Sequence, residues 1–231
     1  MCGGRHRAPI AFGALLLTVI LMALVVDRIF FHGASSPAGA GSGVAATQLR
    51  SLPRFTGVAL AGANNVVVEV GGRQSVVVHA DRNLLRRVTT RVRSGRLVIG
   101  TTPGKLEAKS PMFVTVAVPA LDAVSLEGAG NIAVTGIHSR TLRVALPGSG
   151  NIDVTGTTTK RDVTIDGAGT TMLRGLIARD AKAAIDGDGS VSLTATRSLT
   201  ARVSGSGTVT YGGNPLHVTQ TVAGSGTISA G

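Results

Sequence analysis

The chain has 231 residues, a net charge of +11 and only 3% aromatic residues, with 32 glycines, one cysteine and no tryptophan. So many glycines beside so few aromatics argue for thin, tightly turned β-layers and against a thick globular core. The lone Cys2 excludes an internal disulfide and any thiolate metal cluster.

The first element is apolar. After Arg5 and Arg7, the 17 residues from Ile10 to Val26 carry no charge, and Phe30 and Phe31 can extend the run beyond Asp27 and Arg28. This is the lower limit for a helix that crosses the hydrocarbon core, and the basic flank places its N-terminus in the cytoplasm. Residues 1–31 therefore read as a signal-anchor helix, single-pass, with everything downstream exported to the periplasmic or extracytoplasmic side. A cleaved signal peptide, ending at the small residues of SPAGA, is the alternative. The small, polar residues of 32–48 read as a flexible tether, and a folded domain is expected over 49–231.

Within that domain, 49–120 alternates apolar and polar residues in FTGVAL, NNVVVEV, QSVVVHA, RLVIG and MFVTVAVP, the period of strands. RSGR has the form of a tight hairpin turn, and RNLLRRV hints at one helical turn. Between Ala45 and Ala120 nine arginines and two lysines stand against three acids; from Leu121 onward nine bases stand against eight. The excess concentrates in DRNLLRRVTTRVRSGR. Its Arg82, Arg86, Arg87, Arg91, Arg93 and Arg96 are the candidate contacts for anionic head groups, acidic glycans or other envelope polyanions. A solvated basic face with no dedicated partner is the plainer reading. Nucleic acid fits poorly, since no stacking aromatics are interleaved and an exported domain rarely meets it.

The remainder, 121–231, is a repeat. Glycine pairs recur at Gly128/Gly130, Gly148/Gly150, Gly167/Gly169, Gly187/Gly189, Gly205/Gly207 and Gly224/Gly226, in steps of 20, 19, 20, 18 and 19 residues. Two positions before each pair stand Leu126, Leu146, Ile165, Ile185, Val203 and Val222. Four positions after its first glycine stand Ile132, Ile152, Thr171, Val191, Val209 and Ile228. Each repeat is thus a strand, a corner and a second strand with alternate residues inward. LAGANNVVV obeys the same template from Val58 to Val68, without its second glycine. Coils of about 19 residues with two short strands predict an all-β, parallel β-solenoid, the coils stacking about 4.8 Å apart. A β-sandwich or antiparallel meander is the competing architecture, which the short turns allow.

The glycine pairs resemble phosphate loops only superficially. A dinucleotide fingerprint precedes a helix and occurs once, whereas here a strand follows every pair. The pairs read as structural corners, where glycine supplies positive φ and close backbone approach. Asn131, Asn151, Thr170, Ser190, Thr208 and Thr227 follow the corners and predict a polar ladder up the stack. Asp166, Asp186 and Asp188 raise calcium binding, but the nonapeptide calcium pattern is absent. The same acids offer an alternative, a β-helical polysaccharide-processing enzyme, although aromatics to grip sugars are missing. His6, His32, His79, His138 and His217 never fall at ligand spacing, so no metal or other cofactor is expected.

With these residues assembled, the chain resembles the autotransporter-adhesin head family, also called the GIN domain family. The carrying segments are FTGVALAGANNVVVEVGG, VTVAVPALDAVSLEGAGNIAV and the corners GSGNI, GAGTT and GSGTI, over about 52–231. The resemblance implies an exported, envelope-associated β-repeat module with an adhesive role, and it carries no catalytic residues. The sequence ends on a repeat at Gly231 without a translocator barrel, so a head-like module is expected rather than an autotransporter. The expectation is a non-enzymatic binding or structural module at the cell membrane. A self-associating scaffold, built through the strand edge of the last repeat, is a further alternative.

Overall fold

A computed structural model describes residues 39–231. The signal-anchor helix expected over 1–31 lies outside the described residues, as do residues 32–38 of the tether. Among the described residues no helix is long and apolar enough to cross a membrane.

The chain forms β1 (Ala45–Leu49), β2 (Gly57–Leu60), β3 (Asn65–Val70), β4 (Ser75–Asp81), β5 (Val88–Arg93), β6 (Arg96–Thr101), β7 (Phe113–Val118) and β8 (Ala123–Leu126). Long bent strands follow: β9 (Asn131–Leu146), β10 (Asn151–Ile165), β11 (Thr170–Ile185) and β12 (Ser190–Val203). The last are β13 (Thr208–Gly212), β14 (His217–Val222) and β15 (Thr227–Ala230). The expected helical turn is a single 3-10 turn at Leu85–Arg87. The architecture is the expected parallel β-solenoid.

Each coil contributes one stretch before its corner and one after it. The stretches after the corners stack in parallel as β7, β3, β9, β10, β11, β12, β13 and β15. Those before the corners stack as β6, β2, β8, then the second halves of β9 to β12, and β14. The in-register aliphatics fill the interior: Leu60, Leu126, Leu146, Ile165, Ile185 and Val203 are all fully buried. Each such side chain contributes about 1.5–3 kcal/mol, which makes aromatics unnecessary in so narrow a core.

Two features of the N-terminal part escape the period. The coil built from β6 and β7 has the long connection 102–112 in place of a glycine corner, and it stacks beside β2 and β3. Antiparallel strands then close this end, β5 on β6 and β4 on β7, with β1 on β4. The edge left by the outermost coil is thereby covered.

Residues 39–48, read as tether from their composition, are held against this cap. Asp81, fully buried, accepts from Gly43 N, Lys109 N and both Ser110 N and Oγ, at 2.8–3.2 Å. Burial alone would push its carboxyl up, but these four hydrogen bonds outweigh burial and hold it below the usual carboxylate range. A carboxyl lowered in the folded state contributes stability above its unfolded pKa and loses it as pH falls through the folded value. Residues 39–49 are therefore expected to loosen below about pH 4 while the coils persist. Hydrogen-exchange protection factors over β1 that are equal at pH 7 and pH 3 would contradict this.

The glycine corners work differently from the expectation in one respect. Of the twelve, only Gly224 has positive φ. The others lie outside the left-handed φ region, and what they require is the missing Cβ. A methyl on Gly128, Gly148, Gly167, Gly187 or Gly205 would overlap a carbonyl or backbone atom of the coil beneath, and Gly130, Gly150 and Gly169 meet the same obstacle. Gly189, Gly207 and Gly226 also lack the expected positive φ, and each is hemmed in from two sides. A methyl there would meet the carbonyl oxygen of Gly169, Gly189 or Gly207 respectively. It would also meet a branch methyl of the core residue Ile165, Ile185 or Val203 in the same coil beneath. Positive φ is found instead at the opposite corner, where Gly136 and Gly156 have φ of 80° and 133°. The polar ladder forms at its start: Asn151 Nδ2 donates to Asn131 Oδ1 at 2.9 Å, and Asn131 Nδ2 to Asn65 Oδ1 at 2.8 Å.

Candidate polyanion-binding face

The hairpin of β5 and β6 turns at Ser94 and Gly95, both with positive φ (48° and 73°), the geometry of a tight two-residue hairpin. Leu97 and Ile99 point into the core. By the period of two, Arg96 and, across the ladder, Arg91 and Arg93 point outward, and all three are exposed. Arg93 stands directly opposite Arg96.

The six arginines singled out from the sequence therefore divide. Arg91, Arg93 and Arg96 share the outer face near the turn. Arg82 and Arg86 are exposed and lie before the start of β5, at the end of that strand opposite Arg93; the strand is about 17 Å long by its rise. Arg87 is half-buried and donates from Nη2 to Pro103 O at 2.8 Å, so it holds the 102–112 connection in place.

The outward row continues beyond the hairpin. Arg96 lies opposite Gly57, Gly57 opposite Ala123, and Ala123 opposite Arg143. A hollow opens over Gly57 and Ala123, with Arg96 and Arg143 on its two sides. Arg143 is a member of this face that the sequence does not reveal, because 47 residues separate it from Arg96 and only strand pairing unites them. A second hollow, farther along, is lined by Lys160, Asp162, Asp180 and Lys182 and shares Thr141 and Arg143 with the first. There Asp180 accepts from Arg197 Nε and Nη2 at 2.6 Å and from Ser198 Oγ at 2.7 Å. Those bonds pull its carboxyl down to about 2.

The acids of the enzyme alternative sit elsewhere. Asp166, Asp186 and Asp188 are exposed on the row of glycine corners, outside both hollows. Among the described residues no group of three or more His, Cys, Asp or Glu side chains is placed to hold a metal ion. His79 stacks flat on Phe113 with ring centroids 4.2 Å apart, an ordinary packing role.

Inside the coils, Arg161 is a charge that none of the described carboxylates pairs. It is 2% exposed, between Leu142 and Ala181 of the neighbouring coils. Nη1 donates to Leu176 O at 2.9 Å and Leu173 O at 3.5 Å, and Nη2 to Thr194 O at 3.3 Å. The register of β11 on β12 slips between Leu173 and Ile177, and the guanidinium occupies that slip. Burial pulls Arg161 down to about 10, which leaves it charged at neutral pH. No motif in the sequence marks it.

These features define a parallel β-solenoid, capped at its N-terminal end and bearing a basic outer face. The chain belongs to the family described as "Putative auto-transporter adhesin, head GIN domain", which matches residues 54–215. Among solved structures it is similar to a putative adhesin of Bacteroides fragilis, at 22% identity over 83% of this chain and 99% of that chain, TM-score 0.69. Putative adhesins of Parabacteroides distasonis and Parabacteroides merdae are each 20% identical. They cover 84% and 83% of this chain and 99% and 98% of their own, with TM-scores of 0.57 and 0.53. At these identities the likeness is one of fold. No curated protein matches the chain.

Proposed function

We propose that the chain is an exported, membrane-tethered, adhesin-like module that recognises envelope polyanions by surface contact and performs no catalysis. Family membership supports the adhesive class. The basic flank and apolar run of 1–31 support a tether with the folded domain outside the cytoplasm. The observation that carries the binding role is Arg93 directly opposite Arg96, with Arg91 beside them and, among the described residues, no acid paired to any of the three. Like charges facing each other across a ladder destabilise a sheet, so their presence together on an exposed hairpin fits a ligand that neutralises them.

The test replaces Arg91, Arg93 and Arg96 together with serine. Binding of the full chain to anionic envelope polymers should be salt-sensitive and should fall strongly in the triple variant. The double variant Arg82→Ser/Arg86→Ser should retain most of it. Undiminished binding by the triple variant would sink the proposal.

A further inference from the structure

We infer that the outer face of the β6–β2–β8–β9 sheet begins a groove for a linear acidic polysaccharide, running along the solenoid axis from Arg96 to Lys182. The inference rests on the polyanion reading above and gives it a seat and a direction. The register defines the track: Arg96, Gly57, Ala123, Arg143, Asp162 and Lys182 lie opposite one another in turn on six adjacent strand segments. Five strand spacings make it about 24 Å long.

Its floor is open where it must be. Gly57 and Ala123 place nothing larger than a methyl between Arg96 and Arg143, and the hollow there meets the second hollow at Thr141 and Arg143. The charge balance selects the ligand. Among the described residues, Arg96, Arg143, Lys160 and Lys182 have no ion-pair partner. The acids are partly engaged: Asp180 holds Arg197 and Ser198, and Asp122 accepts from Thr56 Oγ1 at 3.0 Å. A hydroxyl donor leaves Asp122 charged, so Asp122 and Asp162 face four unpaired cations and the groove still attracts anions.

The shape separates a polymer from a membrane. The cations line recessed hollows in a row. Of the exposed apolar side chains, Leu49, Val67 and Met172 belong to strands of the other ladder, while Val218 and Val222 of β14 are in register with the inward Leu199 and Val203 and not with Thr200 of the groove. A lipid surface would ask for cations and apolar side chains on one face. The absence of aromatics from both hollows disfavours stacked bases, and the hydroxyls of Thr141, Ser198 and Thr200 suit sugar hydroxyls.

The probe is polygalacturonate, a linear polyuronate, titrated against the full chain at low salt. Arg143→Ser removes a cation that belongs to no hairpin, and Ala123→Glu places a carboxylate on the floor at a half-exposed position. Each should weaken binding about tenfold or more, the worth of one charged contact. Arg86→Ser, equal in charge but remote, should change it less than about twofold. Affinity should also rise with oligomer length until the chain spans the groove. If Arg143→Ser and Ala123→Glu bind like Arg86→Ser while the hairpin triple variant fails, the groove falls and the hairpin proposal stands. Binding to anionic vesicles but not to polyuronate overturns the groove in favour of a membrane. No binding to any polyanion removes both.

Discussion

Alanine at Gly150 is expected to destabilise the domain by about 3 kcal/mol or more, an overpacking cost without an easy escape. The added methyl would overlap Gly130 O of the preceding coil and press on Leu126 Cδ2 at 2.8 Å. That carbonyl cannot retreat cheaply, since it accepts from Asn151 N at 3.2 Å and so belongs to the ladder joining the coils. Relief would require the coils to separate locally, which breaks backbone bonds and opens the aliphatic core together. Ser149→Ala, one residue away, should stay within about 0.5 kcal/mol of the parent. Urea unfolding of the two variants decides the point. Equal midpoints would mean that the corners are conformational devices after all.

The second large effect concerns Arg161. Keeping its charge in the core costs about 3 kcal/mol, from the lowering of its pKa to about 10. Hydrogen bonds from a charged donor to three carbonyls return a similar amount, about 1.5–3 kcal/mol for a good one and less for the longest. The two sides nearly cancel, so the volume of the side chain should decide. Arg161→Ala leaves a void among Leu142, Ala181 and their neighbours and is expected to lose about 2–5 kcal/mol. Arg161→Met fills that space without the charge and should fall within about 1 kcal/mol of the parent. A methionine variant as unstable as the alanine one would show that carbonyl satisfaction at the slipped register outweighs desolvation.

Much of the fold was legible in the chain itself. The aliphatics from Leu126 to Ile228 keep one register because every coil solves the same packing problem against its neighbour, and that problem repeats in sequence. The polar ladder at Asn131 and Asn151 and the Ser94–Gly95 turn were legible for the same reason, each depending on a few adjacent residues. Their physical details were less so. Positive φ and close backbone approach were both expected at the corners; only the close approach of a neighbouring coil's carbonyl is general there, and positive φ is confined to Gly224. The β6–β7 coil was hidden because the 102–112 connection interrupts the spacing. Asp81, which gathers residues distant in sequence, leaves no periodic mark at all.

The candidate site divides in the same way. The arginine-rich stretch was plain, and alternation along β5 and β6 suffices to put Arg91, Arg93 and Arg96 on one side. That Arg87 is spent on Pro103 O, and that Arg143 joins the face across Gly57 and Ala123, follows only from the order in which strands stack. By itself the sequence determined the coil, its corners and the sign of the basic region, because those depend on local period and composition. Which charges meet was decided by tertiary structure alone. The order β6, β2, β8, β9 departs from the order of the chain, and register between non-consecutive strands is set by the packing of the whole stack.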